Sequence, residues 1–222
     1  SDPRLQISTI VRAQGAVQVV ALADRFGVSA QTIRKDLQYL ADRGIAARSY
    51  GGAISAEAVK LPQETAVEAK LGIRAEEKER IGRAAAALVQ PGDSVLLDSG
   101  TTTAQIARYL PDSEEITVVT NDFNVLGALA DKKHLNVVML GGALRRKNMA
   151  FYGAQTETAI ESLLVDRLFL GVDGFDLERG ITTHYEPEAM LNRKMVRVAR
   201  QVIAVTDSSK FGRTCLHRIM GV

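Results

Sequence analysis

Five segments of this 222-residue chain put small or polar residues directly after an apolar run. They are Asp98-Ser99-Gly100-Thr101-Thr102-Thr103, Asn121, Gly141-Gly142, Asp173-Gly174 and Asp207-Ser208-Ser209-Lys210. The first has the makings of an anion cradle. Gly100 lets the backbone approach closely, the hydroxyls of Ser99 and Thr101 to Thr103 donate, and a helix starting there aims its N–H groups at the anion. Lys210 supplies a formal positive charge, and Asp98, Asn121 and Asp173 can hydrogen-bond hydroxyl groups. Each segment alone is ordinary turn chemistry. The five together point to a small polyhydroxylated phosphate ester.

A second set lies near the start. At 100° per residue, Gln31, Arg34, Lys35 and Gln38 fall on one arc of a helix, opposite Ile33, Leu37 and Leu40. Gln can read adenine and Arg guanine in a major groove, and Lys suits phosphate. Asp36 and Asp42 flank this arc. In isolation such an arc is a solvated face. Its surroundings reverse that preference.

Those surroundings are a helix with Ile7, Ile10 and Val11 at i, i+3, i+4, a stop at Gln14-Gly15, and a short helix with Leu22, Ala23 and Phe26 on one side. The tight turn Gly27-Val28-Ser29 follows, with Ser29 as N-cap of a third helix over residues 30–42 that ends at Gly44. Residues 45–54 read as two short strands around a glycine turn. This order is that of a winged helix-turn-helix, in which Arg48 and Tyr50 sit where a wing touches the sugar-phosphate backbone.

From residue 76 the rhythm changes. Helical patterns over 76–89, through Ile106 and Leu110, and over 122–130, 155–164 and 188–200 alternate with apolar runs at 94–98, 116–119, 136–140, 167–172 and 201–205. Repeated β-α units imply a mainly parallel α/β sheet covered by helices, with ligands beyond the carboxyl ends of its strands. The stretch 55–74 holds Pro62 and little periodicity. The expected division is a winged helix-turn-helix domain over 1–56, a linker over 57–75 and an α/β domain over 76–222.

Composition narrows the classes. Residues 1–60 carry eight Lys/Arg against five Asp/Glu, while the whole chain carries +2. A mildly basic head on a neutral body permits nucleic-acid binding by the head. No long apolar run suggests a membrane span, and no leader pattern opens the chain. The single cysteine, Cys215, suits a reducing cytoplasm. Three scattered histidines and one cysteine argue against a structural metal, and no cofactor is expected. Walker, G-x-G-x-x-G and G-x-S-x-G patterns are absent. His184 is read as a solvated loop residue near the strand ends.

The string Val28-Ser29-Ala30-Gln31-Thr32-Ile33-Arg34-Lys35-Asp36-Leu37, followed by Gly44 and Arg48-Ser49-Tyr50-Gly51-Gly52-Ala53, resembles the DeoR family of bacterial transcription regulators. Leu97-Asp98-Ser99-Gly100-Thr101-Thr102, Thr120-Asn121, Leu140-Gly141-Gly142, Gly171-Val172-Asp173-Gly174 and Thr206-Asp207-Ser208-Ser209-Lys210-Phe211 match its sensor domain in order. The resemblance implies a sensor similar to ribose-5-phosphate isomerases but used for binding. Carried over, Thr32, Arg34 and Lys35 face DNA, and Ser99 to Thr103, Asn121, Asp173, Glu188 and Lys210 line the effector pocket. Asp176-Leu177-Glu178-Arg179-Gly180, Thr183-His184, Leu191-Asn192-Arg193 and Phe151-Tyr152-Gly153 look most like the N-acetylgalactosamine and galactosamine branch. That implies an amino-sugar phosphate or related hexose phosphate as effector. Family members continue past this chain's last residues with at least one more strand and helix, so a truncated C-terminus is expected.

The expected function is an operator-binding repressor of a sugar or amino-sugar operon, homo-oligomeric as dimer or tetramer, cytoplasmic and not an enzyme. The alternative is a sugar-phosphate isomerase with an appended head, using Asp98, Asp173 or Glu188 as base and Lys210 as phosphate clamp. A head that binds protein instead of DNA is a third reading.

Overall fold

The computed structural model describes residues 3–14, 16–43, 45–49, 52–55 and 64–222. Contacts divide the chain into two compact units, Ser1–Gln63 and Glu64–Val222.

The first unit runs α1 (Pro3–Gln14), β1 (Ala16–Gln18), α2 (Val19–Phe26), α3 (Ala30–Asp42), β2 (Ala46–Ser49) and β3 (Gly52–Ser55). Ile7 and Val11 of α1, Leu22 of α2, and Ile33, Leu37 and Leu40 of α3 are buried together. The apolar spacing at i, i+3/i+4 thus becomes one core under three helices. Gly27 closes α2 in the left-handed conformation, and the Ser29 hydroxyl accepts the Thr32 N–H at 3.1 Å to open α3. The strands pair antiparallel in the order β1-β3-β2. The expected hairpin is present, and β1 adds a third strand to it.

The second unit runs α4 (Val67–Leu71), α5 (Ala75–Ala86), β4 (Ser94–Leu97), α6 (Thr101–Tyr109), β5 (Thr117–Thr120), α7 (Phe123–Leu129), β6 (Asn136–Met139), β7 (Ala143–Arg145), β8 (Ala150–Tyr152), α8 (Ala154–Glu161), β9 (Val165–Gly171), β10 (Gly174–Asp176), β11 (Gly180–Thr183), α9 (Glu186–Val198), β12 (Ala199–Val205), a 3-10 turn (Ser208–Lys210) and β13 (His217–Met220). Five strands form a parallel sheet in the order β12-β9-β4-β5-β6.

Alternation along β4 explains why both faces are covered. Val95 and Leu97 pack into a core with Ile106 and Leu110, while Leu96 packs into another with Ile160, Leu168 and Met195. The chain winds from β4 through β5 to β6, then crosses back to β9 and β12. The direction therefore reverses between β4 and β9, and in such sheets that switch point, beyond the carboxyl ends, is the crevice where ligands bind.

Two expectations change. Residues 64–75, read as linker, belong to the second unit: Val67 is buried, its N–H bonds Lys147 O at 2.9 Å, and Glu64 pairs with Arg145. Residues 57–63 lie outside the described residues. Helix α5 ends at Ala86, three residues short of the expected 89, and beyond it Leu88 is 47% exposed while Val89 turns inward.

Candidate functional site

In the first unit, Gln31, Thr32, Arg34, Lys35 and Gln38 are all exposed on the face of α3 opposite Ile33 and Leu37. Arg34 and Lys35 have no ion-pair partner in contact among the described residues. Asp36, expected on the flank, is instead buried and takes the Arg4 guanidinium at 2.7 Å. That removes an anion from the face. Gln38 donates to Asp42 at 2.8 Å. Ser29 and Thr32 share a hydroxyl contact at 2.9 Å as part of the N-cap, so capping already engages both. Tyr50 and the side chain of Arg48 lie outside the described residues.

In the second unit, the loop after β4 is only partly the open cradle expected. The Gly100 N–H is taken by Asp122 Oδ2 at 3.0 Å, and the Thr103 hydroxyl is turned back to Gly100 O at 2.9 Å in a fully buried position. Asp122, overlooked in the sequence reading, caps α7 through Asn124 and Val125. Burial pushes its carboxyl up to about 6 against those hydrogen bonds. Ser99, Thr101 and half-buried Thr102 remain around the opening of α6, whose first N–H groups have no partner within the helix. Ser99 Oγ meets Tyr152 Oη at 3.3 Å, and Asn148 Nδ2 donates to that phenol at 2.6 Å.

The remaining residues sort by what already binds them. Asp98 is 1% exposed, with Oδ2 on the Gly171 N–H and Asn192 facing it. Burial raises its carboxyl to about 7. Asn121 is fully buried and spends Nδ2 on Phe151 O at 3.0 Å. Asp98 Oδ1, Asn121 Oδ1 and Asn192 Oδ1 have no hydrogen-bond partner among the described residues, which leaves buried acceptors for donors from water or ligand. Gly142 is structural: at φ +115° a Cβ would collide with Thr156 Oγ1 and Tyr152 O. Half-buried Glu188 is raised well above the usual carboxylate range by burial and then by Asp173 and Asp98.

Asp173 stands at the centre of a charged group. Its Oδ1 takes Lys70 Nζ at 3.2 Å and its Oδ2 the Thr183 hydroxyl at 3.0 Å. Burial pushes its carboxyl up, but Lys70, His184 and Lys210 outweigh that and hold it low. Buried Lys78 donates to Lys70 O at 2.6 Å. Burial lowers both Lys78 and Lys210, which face Asp207 and one another. Arg74 lies 3.5 Å from Asp207 and 3.3 Å from Glu77, and Arg213 faces Lys210. Five cations thus meet the carboxylates of Asp173, Asp207 and Glu77, a surplus of two positive charges. His184 sits half-buried with Nε2 3.5 Å from Cys215 Sγ, not solvated as expected.

Lys70 and Lys78 escaped the sequence reading. A five-residue helix carries no periodic signal, and Lys78 looks like a surface residue of α5. A shallow cleft of about 430 Å³ beside Phe175, Leu177 and Phe211 holds none of these residues.

A helix-turn-helix face rich in donors, joined in one chain to a doubly wound unit with a charged strand-end crevice, defines a ligand-responsive transcription regulator. A model of the DeoR-like helix-turn-helix domain matches residues 4–59, and one of the DeoR C terminal sensor domain matches residues 73–222. The chain belongs to the DeoR family of transcription regulators. It is similar to the "Putative aga operon transcriptional repressor" of Escherichia coli O157:H7, 46% identical over 99% of this chain and 82% of that one. It is 32% identical to the glycerol-3-phosphate regulon repressor of Escherichia coli K12, over 95% of this chain and 82% of that one. Among solved structures, ribose 5-phosphate isomerase A from Methanocaldococcus jannaschii overlays 62% of this chain and 54% of its own, at 16% identity and TM-score 0.45.

Proposed function

We propose that the protein is a repressor of a sugar or amino-sugar operon whose grip on operator DNA is set by a phosphorylated sugar in the β4/β9 crevice. The observation that carries this reading is the surplus of two positive charges around Lys70, Lys78 and Lys210, beside buried acceptors with no partner among the described residues. A phosphate dianion balances the first, and hydroxyl or ammonium donors satisfy the second. Ser99, Thr101, Thr102, Asp173, Glu188 and Lys210 are the residues that touch the effector. Asp98 and Asn121 offer it their free Oδ1 acceptors, and Gly100, Thr103 and Gly142 shape the pocket from beneath. The aga relative supports an amino-sugar phosphate.

On the first unit, Gln31, Thr32, Arg34, Lys35 and Gln38 face the major groove, with Ser29, Arg48 and Tyr50 beside the backbone. One such face covers a half-site, so a homo-oligomer, dimer or tetramer, presents paired faces. The pocket binds without turnover, a reading supported by relatives named as transcription regulators. Among the described residues no helix is long and apolar enough to cross a membrane, and we place the protein in the cytoplasm.

A thermal-shift panel tests the pocket. Hexose and pentose phosphates, galactosamine 6-phosphate among them, are compared with the same sugars unphosphorylated. The matching phosphate at about a hundredfold excess over Kd raises the midpoint by about 5–10 °C, and the bare sugar does not. No shift with any phosphate sinks the sensor reading.

A further inference from the structure

Residues 64–71 are where the chain enters the second unit, and both ends of this segment are fastened to the crevice. At one end, Glu64 holds the Arg145 guanidinium through two bonds of 2.5 Å. Arg145 lies 3.8 Å over the Tyr185 ring, Tyr185 meets Tyr152 edge-on at 5.4 Å, and Tyr152 reaches Ser99. At the other end, Lys70 reaches Asp173 while its carbonyl takes the buried Lys78 ammonium. Between them Val67 is buried and bonded to Lys147 O.

We infer that Lys70 couples phosphate occupancy to this segment: a phosphate seated among Lys70, Lys78 and Lys210 draws the Lys70 ammonium from Asp173 to itself and tightens residues 64–71 onto the second unit. An ammonium has three donors, and among the described residues Lys70 has one ion pair, with Asp173 at 3.2 Å. A dianion offers more acceptors and more charge than the single carboxylate oxygen. Asp173, once released, accepts from the sugar. Glu64 is the first residue of the second unit, so the tightened segment is the one that follows the helix-turn-helix unit in the chain. The inference rests on the sugar-phosphate reading and adds to it a residue and a route.

Amide hydrogen exchange on the full chain tests it, with inorganic phosphate and galactosamine 6-phosphate as probes and calorimetry for affinity. In the wild type, saturation with either probe slows exchange of the Val67 and Lys70 amides by about threefold or more. Lys70→Gln weakens both probes by about tenfold or more and shows no slowing at saturation, while Lys70→Arg keeps most of both effects. Two results overturn it and leave the sensor reading standing. One is wild-type binding without slowing at 64–71, which needs no variant. The other is a folded Lys70→Gln protein that binds and slows like the wild type. Absence of wild-type binding to every sugar phosphate of the panel fells the sensor reading and this inference together.

Discussion

Asp98, Asp173 and Glu188 carry the same carboxyl chemistry, and their surroundings give them different work. Asp173 is held low by Lys70, His184 and Lys210 despite its burial, so it stays an acceptor. Asp98 has no such cation and burial raises it to about 7. The linkage sign follows from the shift. The unfolded chain releases its Asp98 proton near 3.8 and the folded chain near 7. The stability from this group is therefore full below the lower value and is lost as pH rises through the upper one. Asp98→Asn should gain on the wild type between about pH 4 and pH 8, by at most about 4 kcal/mol. Melting midpoints of both proteins across that range check this, and parallel curves count against it. Gly142 makes the opposite point, since its role is backbone geometry. Gly142→Ala should cost about 1–3 kcal/mol of stability through its positive φ and the clash with Thr156 and Tyr152. Denaturant midpoints would show that loss.

Among the elements, α3 separates reading from folding most cleanly. Its two faces were legible because one helix must put Ile33, Leu37 and Leu40 inside and Arg34 and Lys35 outside. Reversing Arg34 and Lys35 to Glu should abolish DNA binding in a titration at several salt concentrations while circular dichroism stays unchanged. Leu37→Ala, at a fully buried position, should instead cost about 2–5 kcal/mol and lose binding by unfolding the first unit. The β-α alternation of the second unit was equally legible, since each parallel strand contains an apolar run. What sequence could not supply is non-local. Strand β1 exists because Ala16, Val17 and Gln18 find β3 far along the chain. Strand β13 joins the β10–β11 pair by distant pairing, and the hairpin β7–β8 has only three residues in each strand. The pocket divides the same way. Its strand-end residues were visible as residue types, but which hydroxyls and amides were already spent was not. Gly100 reads as a point of close backbone approach, but Asp122, from the next β-α loop, already occupies its N–H.

At the scale of the whole molecule, two units of different rhythm share one chain, and regulation requires that their equilibria be linked. A ligand shifts DNA affinity only if it binds more tightly to one arrangement than to the other. The same coupling must then run backwards, so bound DNA should weaken sugar-phosphate binding by the factor by which the sugar phosphate weakens DNA binding. Calorimetric titration of galactosamine 6-phosphate into the free and the DNA-bound protein measures that factor. A factor of one in both directions would mean that the two sites are not linked.

The most direct measurement is the anisotropy Kd of the full chain for a duplex it selects from a randomised pool, taken at fixed salt with and without the sugar phosphate that gives the largest thermal shift. Saturating the pocket should weaken the grip on DNA by about fivefold or more. An unchanged Kd with the pocket demonstrably full would contradict the account.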